Sequence, residues 1–190
     1  KTGAKHIELS EFPIDLVIEY LKHSHHQFVK RRLPYIAGLI SGLNSGEKGV
    51  QEIAKDLKFI FPLFVNEFIE HIYEEEDTLF VYVMQLMKAY NAIHPKVFKI
   101  QQMIENHTLQ AYALDHDTHD DEMQGIRRIT NNYEIKPEYD LHIKVIFTEL
   151  QEFEKELCIH AKIENEIFFP KALVLEKKVK DKIANLSRLN

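Results

Sequence analysis

Residues 141–170 read LHIKVIFTELQEFEKELCIHAKIENEIFFP, and the spacing of their apolar residues decides the fold. Ile143, Ile146, Leu150, Phe153 and Leu157 recur three and four positions apart, which sets them on one face of a helix. Continued at the same spacing, that face turns to His160 and Glu164 before Ile167 restores it. A carboxylate on a core-facing seam is costly to bury unless something cationic compensates it. The helix is read as running from about Glu138 to Phe169, with Pro170 as its stop.

The same pattern recurs upstream. A third helix is expected over about Lys96 to Asn132, with a seam of Leu109, Tyr112, His116, His119, Met123 and Ile126. A second runs from about Val50 to Tyr90 through Phe64, Phe68, His71, Glu75 and Tyr82, and Pro62 should kink or briefly break it. The first runs from Leu16 to Ile40, opened by Pro13 and closed by the loop Ser41-Gly42-Leu43-Asn44-Ser45-Gly46. Its seam is Val29, Leu33, Ile36 and Ile40, with His26 one turn before Val29. Residues 171–190 read as a helical or frayed tail, and no stretch shows strand alternation. Helices of roughly 30–40 residues with short connections imply an all-α, up-down-up-down antiparallel four-helix bundle. It is read as a single domain over 1–190, with its bundle core at about 12–170.

Composition agrees with this class. Of 190 residues, 45% are hydrophobic and 28% charged, which suits a globular protein and not a disordered one. The net charge of −6 gives no electrostatic reason to expect nucleic acid or an anionic membrane as partner. A single cysteine, Cys158, excludes an internal disulfide and a cysteine-built zinc or iron–sulfur site. With neither a secretory segment nor a long apolar run, a cytoplasmic location is the expectation. Histidine is over-represented, at 11 residues.

The positions of those histidines carry the functional reading. His71 with Glu75 and His160 with Glu164 stand four apart, which puts each pair on one helix face about a turn apart. His26 from the first helix, and His116 or His119 from the third, bring the set to four imidazoles and two carboxylates. Iron and manganese suit this mixture of nitrogen and oxygen donors, and a carboxylate can bridge two ions. Counted from the connection at 91–95, His71 and His116 fall at a similar height in antiparallel helices. Taken singly, a seam histidine is more often a core residue than a ligand; the argument rests on the coincidence across four seams. His23 and His25 are read as supporting or exposed neighbours of His26, and His6, His94, His107 and His142 as structural or surface residues. Within the acidic run Glu74-Glu75-Glu76-Asp77 only the seam selects Glu75. Asp115–Glu122 lacks the central glycine and spacing of a calcium loop.

Over roughly residues 15–173 the chain resembles the haemerythrin-like HHE cation-binding proteins, and among them the iron–sulfur cluster repair (RIC) di-iron proteins. The likeness rests on His26 seven residues before Leu33-Pro34 and on His71-x-x-x-Glu75 followed by Leu79-Phe80. It rests further on His116-Asp117 with Thr130-Asn131-Asn132 downstream, and on the block His160–Leu173. The resemblance selects His116 over His119. It implies a non-haem centre of two iron ions, oxo- or hydroxo-bridged, in which Glu75 and Glu164 bridge and His26, His71, His116 and His160 complete the ligand set. It also implies a role in the nitrosative or oxidative stress response through repair of damaged iron–sulfur clusters. Oxygen, nitric oxide or peroxide would be its small ligands and iron–sulfur proteins its partners. The alternative is a module that binds, stores or senses oxygen or nitric oxide. Two features depart from the family: no adjacent cysteines precede the helices, and the loop after the first helix lacks a histidine.

Overall fold

The structure, a computed structural model, describes residues 9–44, 48–106, 109–110, 112–113 and 123–188, and every regular element among them is helical. A short 3₁₀ turn at Leu9–Glu11 leads into α1 (Ile14–Gln27), followed by α2 (Leu33–Ser41) and α3 (Lys48–Glu74). Then come α4 (Phe80–Asn91), α5 (Val97–Asn106), α6 (Gln124–Ile129), α7 (Leu141–Ile163) and α8 (Phe169–Arg188). The fold class is all-α. The middle of the expected third helix, including His107, His116 and His119, lies outside the described residues.

Three of the expected long helices are real but not uniform. Wide π-helical turns at Phe28–Arg32, Glu75–Leu79 and Glu164–Phe168 join α1 to α2, α3 to α4 and α7 to α8 without a break. In each turn an amide reaches back five residues instead of four: Leu33 N–H donates to the Phe28 carbonyl, Phe80 to Glu75, and Phe169 to Glu164. A turn of this kind holds one residue more than an α turn, and such turns concentrate at functional sites.

This irregularity explains two departures from the expected helix ends. Pro170 does not stop the last helix, which continues to Arg188. It follows a π turn by two positions, as Pro34 does, where the ladder already skips a step and a missing N–H costs least. Pro62 does not break α3 either, which runs from Lys48 to Glu74 with the ring inside it. Buried Phe61 and Phe64 flank that proline, and their packing offsets the lost hydrogen bond. The tail expected as helical or frayed is α8.

The chain divides into two compact units. The first comprises residues 1–22, 74–118 and 161–190. Its core gathers Val17, Ile18 and Leu21 of α1, Phe80, Val83 and Leu86 of α4, and Ala172, Val179 and Ile183 of α8. The second comprises residues 23–73 and 119–160 and is cored by Ile36 and Ile40 of α2, Leu57 and Phe61 of α3, and Ile143, Ile146, Leu150 and Phe153 of α7. In this second unit Arg32 anchors the first π turn to α7, with its Nη1 2.7 Å from Glu149 Oε2 and its Nε 2.9 Å from Glu156 Oε2. His142 donates to the Leu39 carbonyl at 2.9 Å, in keeping with the structural role expected of it. The connection into α7 turns through Asn131, Asn132 and Tyr133, all at left-handed φ of 50°, 56° and 59°.

Candidate metal centre

The periodicity of α1 settles which of its clustered histidines turns inward. Val17, Ile18 and Leu21 are buried, and the next positions in phase are His25 and then Phe28, both buried. His26 points outward and is exposed. The buried position therefore falls one residue before the expected His26, and the π turn is the reason. Counting back from Leu33 in α-helical steps reaches Val29 and His26; the extra residue in Phe28–Arg32 shifts the inward positions to Phe28 and His25. The signal lay upstream, in the phase of Val17, Ile18 and Leu21, and not in the downstream seam.

The structure gathers His25, Glu75, His160 and Glu164, each offering one ligand atom, with these atoms all within 4.8 Å of one another. All four residues are buried, His25 at 1%, Glu75 at 5%, His160 at 8% and Glu164 at 2% exposure. His25 Nε2 and His160 Nε2 are 3.0 Å apart, and the rings lie 4.7 Å centroid to centroid at 53°. His160 and Glu164 stand one turn apart where α7 passes into its π turn, and Glu75 opens the π turn that follows α3. Of the expected ligands, then, Glu75, His160 and Glu164 come together. His71 is half-buried on α3, one turn before Glu75, and stands outside the compact group. His116 lies outside the described residues, as does its rival His119.

The surroundings of the imidazoles are aromatic. Phe28 meets His160 edge-on, with centroids 5.5 Å apart, and itself contacts Phe68 and Phe153. This wall keeps water from that side of His160 and fixes its ring by packing. In the turn after Glu75, the Thr78 hydroxyl donates to the Glu74 carbonyl, and Tyr112 Oη lies 3.4 Å from Thr78 Oγ1. A hydroxyl bonded back to the preceding turn helps satisfy a backbone that the π geometry leaves irregular.

Two buried carboxylates and two buried imidazoles within a few ångströms can hold a cation. Nitrogens bound at right angles to one ion, at bonds of about 2.1 Å, stand about 3.0 Å apart, the separation seen between the two Nε2 atoms. Carboxylate and imidazole donors suit iron, manganese or zinc, whereas magnesium or calcium would call for oxygen alone.

No family model matches the chain. It is 23% identical over 164 residues, 86% of this chain and 68% of the relative, to the iron–sulfur cluster repair protein YtfE of Escherichia coli O81 (strain ED1a). To the protein of that name from Cronobacter sakazakii (strain ATCC BAA-894) it is 24% identical over 168 residues, 87% of this chain and 68% of the relative. With that from Citrobacter koseri (strain ATCC BAA-895) it shares 22% over 164 residues, again 86% of this chain and 68% of the relative. An all-α chain with a buried histidine–glutamate group, it is similar over most of its length to curated iron–sulfur cluster repair proteins, and these are its relatives.

Proposed function

We propose that this chain is a non-haem di-iron protein that acts in the cytoplasm to restore iron–sulfur clusters damaged by nitric oxide or oxidants. The observation that carries the reading is the buried group of His25, Glu75, His160 and Glu164. Two carboxylates so deeply buried are costly to keep ionised without positive charge beside them, and metal cations would supply it. In this reading Glu75 and Glu164 would hold the irons through their carboxylates, with His25 and His160 as nitrogen donors. His71 and a third-helix histidine, His116 or His119, complete the set.

When bound, an iron pair supplies one-electron redox chemistry and coordination positions for oxygen, nitric oxide or peroxide. The chain's own residues decide what reaches it. Burial of all four residues keeps bulky substrates away from them. The Phe28, Phe68 and Phe153 wall holds the imidazoles in place and keeps that side dry. Iron would be held by these carboxylates and imidazoles. Iron held in this way can be passed to an apo-cluster acceptor, which agrees with what the relatives are named for.

Metal analysis of protein purified from iron-replete cells should find about two irons per chain. Incubation with an apo iron–sulfur protein should then transfer that iron, read as growth of the acceptor's cluster absorbance. A near-ultraviolet band that responds reversibly to oxygen, with no transfer, would favour the oxygen-binding alternative. Failure to take up iron after anaerobic reconstitution would overturn both.

A further inference from the structure

We propose that the corner formed by α4 and α5 is a docking groove for an acidic peptide segment of a partner protein. Charge is distributed very unevenly along this chain. Residues 80–106 and 169–190 carry nine Lys and Arg against three Asp and Glu, in a chain with 24 against 30 overall. A strongly basic region therefore sits in a protein of net charge −6, and the remainder is correspondingly acidic.

The geometry concentrates part of that charge around a concave site. A cavity of about 780 Å³ opens along the end of α4, the connection at 92–96 and α5. Lys88, Lys96 and Lys99 rim it, while Ala89, Ile100 and Met103 contribute apolar lining. Two other lysines of this region are already engaged: Lys180 pairs with Glu176, and Lys182 donates to the carbonyls of Tyr90 and Ala92, both at 2.6 Å. Among the described residues, Lys88, Lys96 and Lys99 pair with no carboxylate. Large apolar side chains stand exposed on the same stretch, Ile93 at 86% and Phe98 at 74%.

An apolar floor under a cationic rim fits a short segment that presents carboxylates at its edges and an aliphatic side chain inward. Nucleic acid fits less well. A long polyanion feels the whole molecule's negative charge, whereas a peptide bound within about 8 Å, the Debye length at physiological salt, feels chiefly the local lysines. The proposal is independent of the metal reading, because no ligand of the candidate centre lines this site.

Fluorescence anisotropy of a labelled peptide of repeating Glu-Glu-Leu, titrated with the full chain, tests it. The acidic peptide should bind, and a repeat of Ser-Ser-Leu should not. Replacing Lys88, Lys96 and Lys99 together with Gln should weaken binding about tenfold, while Lys30→Gln with Lys55→Gln leaves it unchanged. Ala92→Trp, which intrudes on the groove with every charge retained, should also weaken it. Circular dichroism melts confirm that each variant is folded. No binding of the acidic peptide overturns the proposal, as does equal loss in the Lys30/Lys55 control. Tight, lysine-dependent binding of single-stranded DNA or phosphatidylserine vesicles in place of the peptide also overturns it.

Discussion

At the scale of single residues, the discriminating pair is His25 and His26. They are adjacent in sequence, yet one is buried in the histidine–glutamate group and the other faces solvent. Replacing His25 with Ala should remove most of the bound iron, because one of the donors drawn together at the centre is lost. His26→Ala should leave iron content within error of the parent protein. Elemental analysis of the two variants, reconstituted side by side, checks this directly. Equal loss from both would return His26 to the ligand set and undo the register derived from α1. Three residues of the buried group, Glu75, His160 and Glu164, were legible from their place on seams, since a carboxylate or imidazole in phase with a core demands a reason. His25 was not, because the downstream seam alone pointed one residue further along.

At the scale of the helix, the informative feature is the wide turn. Hydrophobic periodicity fixes which residues share a face only while the step per residue is constant, and a π turn changes that step without any apolar signature of its own. The second and fourth helices were readable because each seam runs unbroken up to the residue that opens the turn, through His71 to Glu75 in one and through His160 to Glu164 in the other. In the first helix the turn separates the histidines from the seam used to place them, so the buried position falls at His25 and not at the expected His26. A deletion tests this account. Without Lys30, an exposed residue inside the first π turn, Phe28 and His25 fall four and seven positions before Leu33. They then keep their inward phase in an ordinary α-helix. That deletion should preserve helicity and iron content. One alanine inserted after Lys30 should rotate His25 by about 100° and abolish most iron binding. Far-ultraviolet circular dichroism with metal analysis reads both variants.

At the scale of the whole molecule, the all-α class was legible because long stretches lack both strand alternation and internal glycine. Two apolar cores, each confined to its own unit, were not, since a continuous seam carries no mark of where one cluster of contacts gives way to another. One polar pair inside the first unit bears on stability as a function of pH. Tyr82 donates to Glu176 Oε2 at 3.0 Å, and both residues are buried. Burial, reinforced by the Glu176 charge and the hydrogen bond to it, holds the Tyr82 phenol well above its ordinary value of 10.0. In the unfolded chain the phenol ionises near pH 10, whereas in the folded protein it keeps its proton further into alkali. The contribution is therefore complete below pH 10 and declines as pH rises above it, because the folded state then binds more protons than the unfolded one. Tyr82→Phe should flatten that decline. Urea unfolding midpoints of parent and variant at pH 9 and pH 11 measure it, and parallel shifts in the two proteins would refute the assignment.

The ammonium of Lys182, close to the carbonyls of Tyr90 and Ala92 at 2.6 Å and of Ala89 at 3.4 Å, ties α8 to the end of α4. An amine so engaged is a poor nucleophile, since acylation would remove its charge and take the donor away from the carbonyls at the helix end. Under mild acetylating reagent, peptide mass spectrometry should find Lys177, which is exposed, acquiring the acetyl group well before Lys182 does. The order in which reagents mark neighbouring lysines would then report whether that helix end is still fastened.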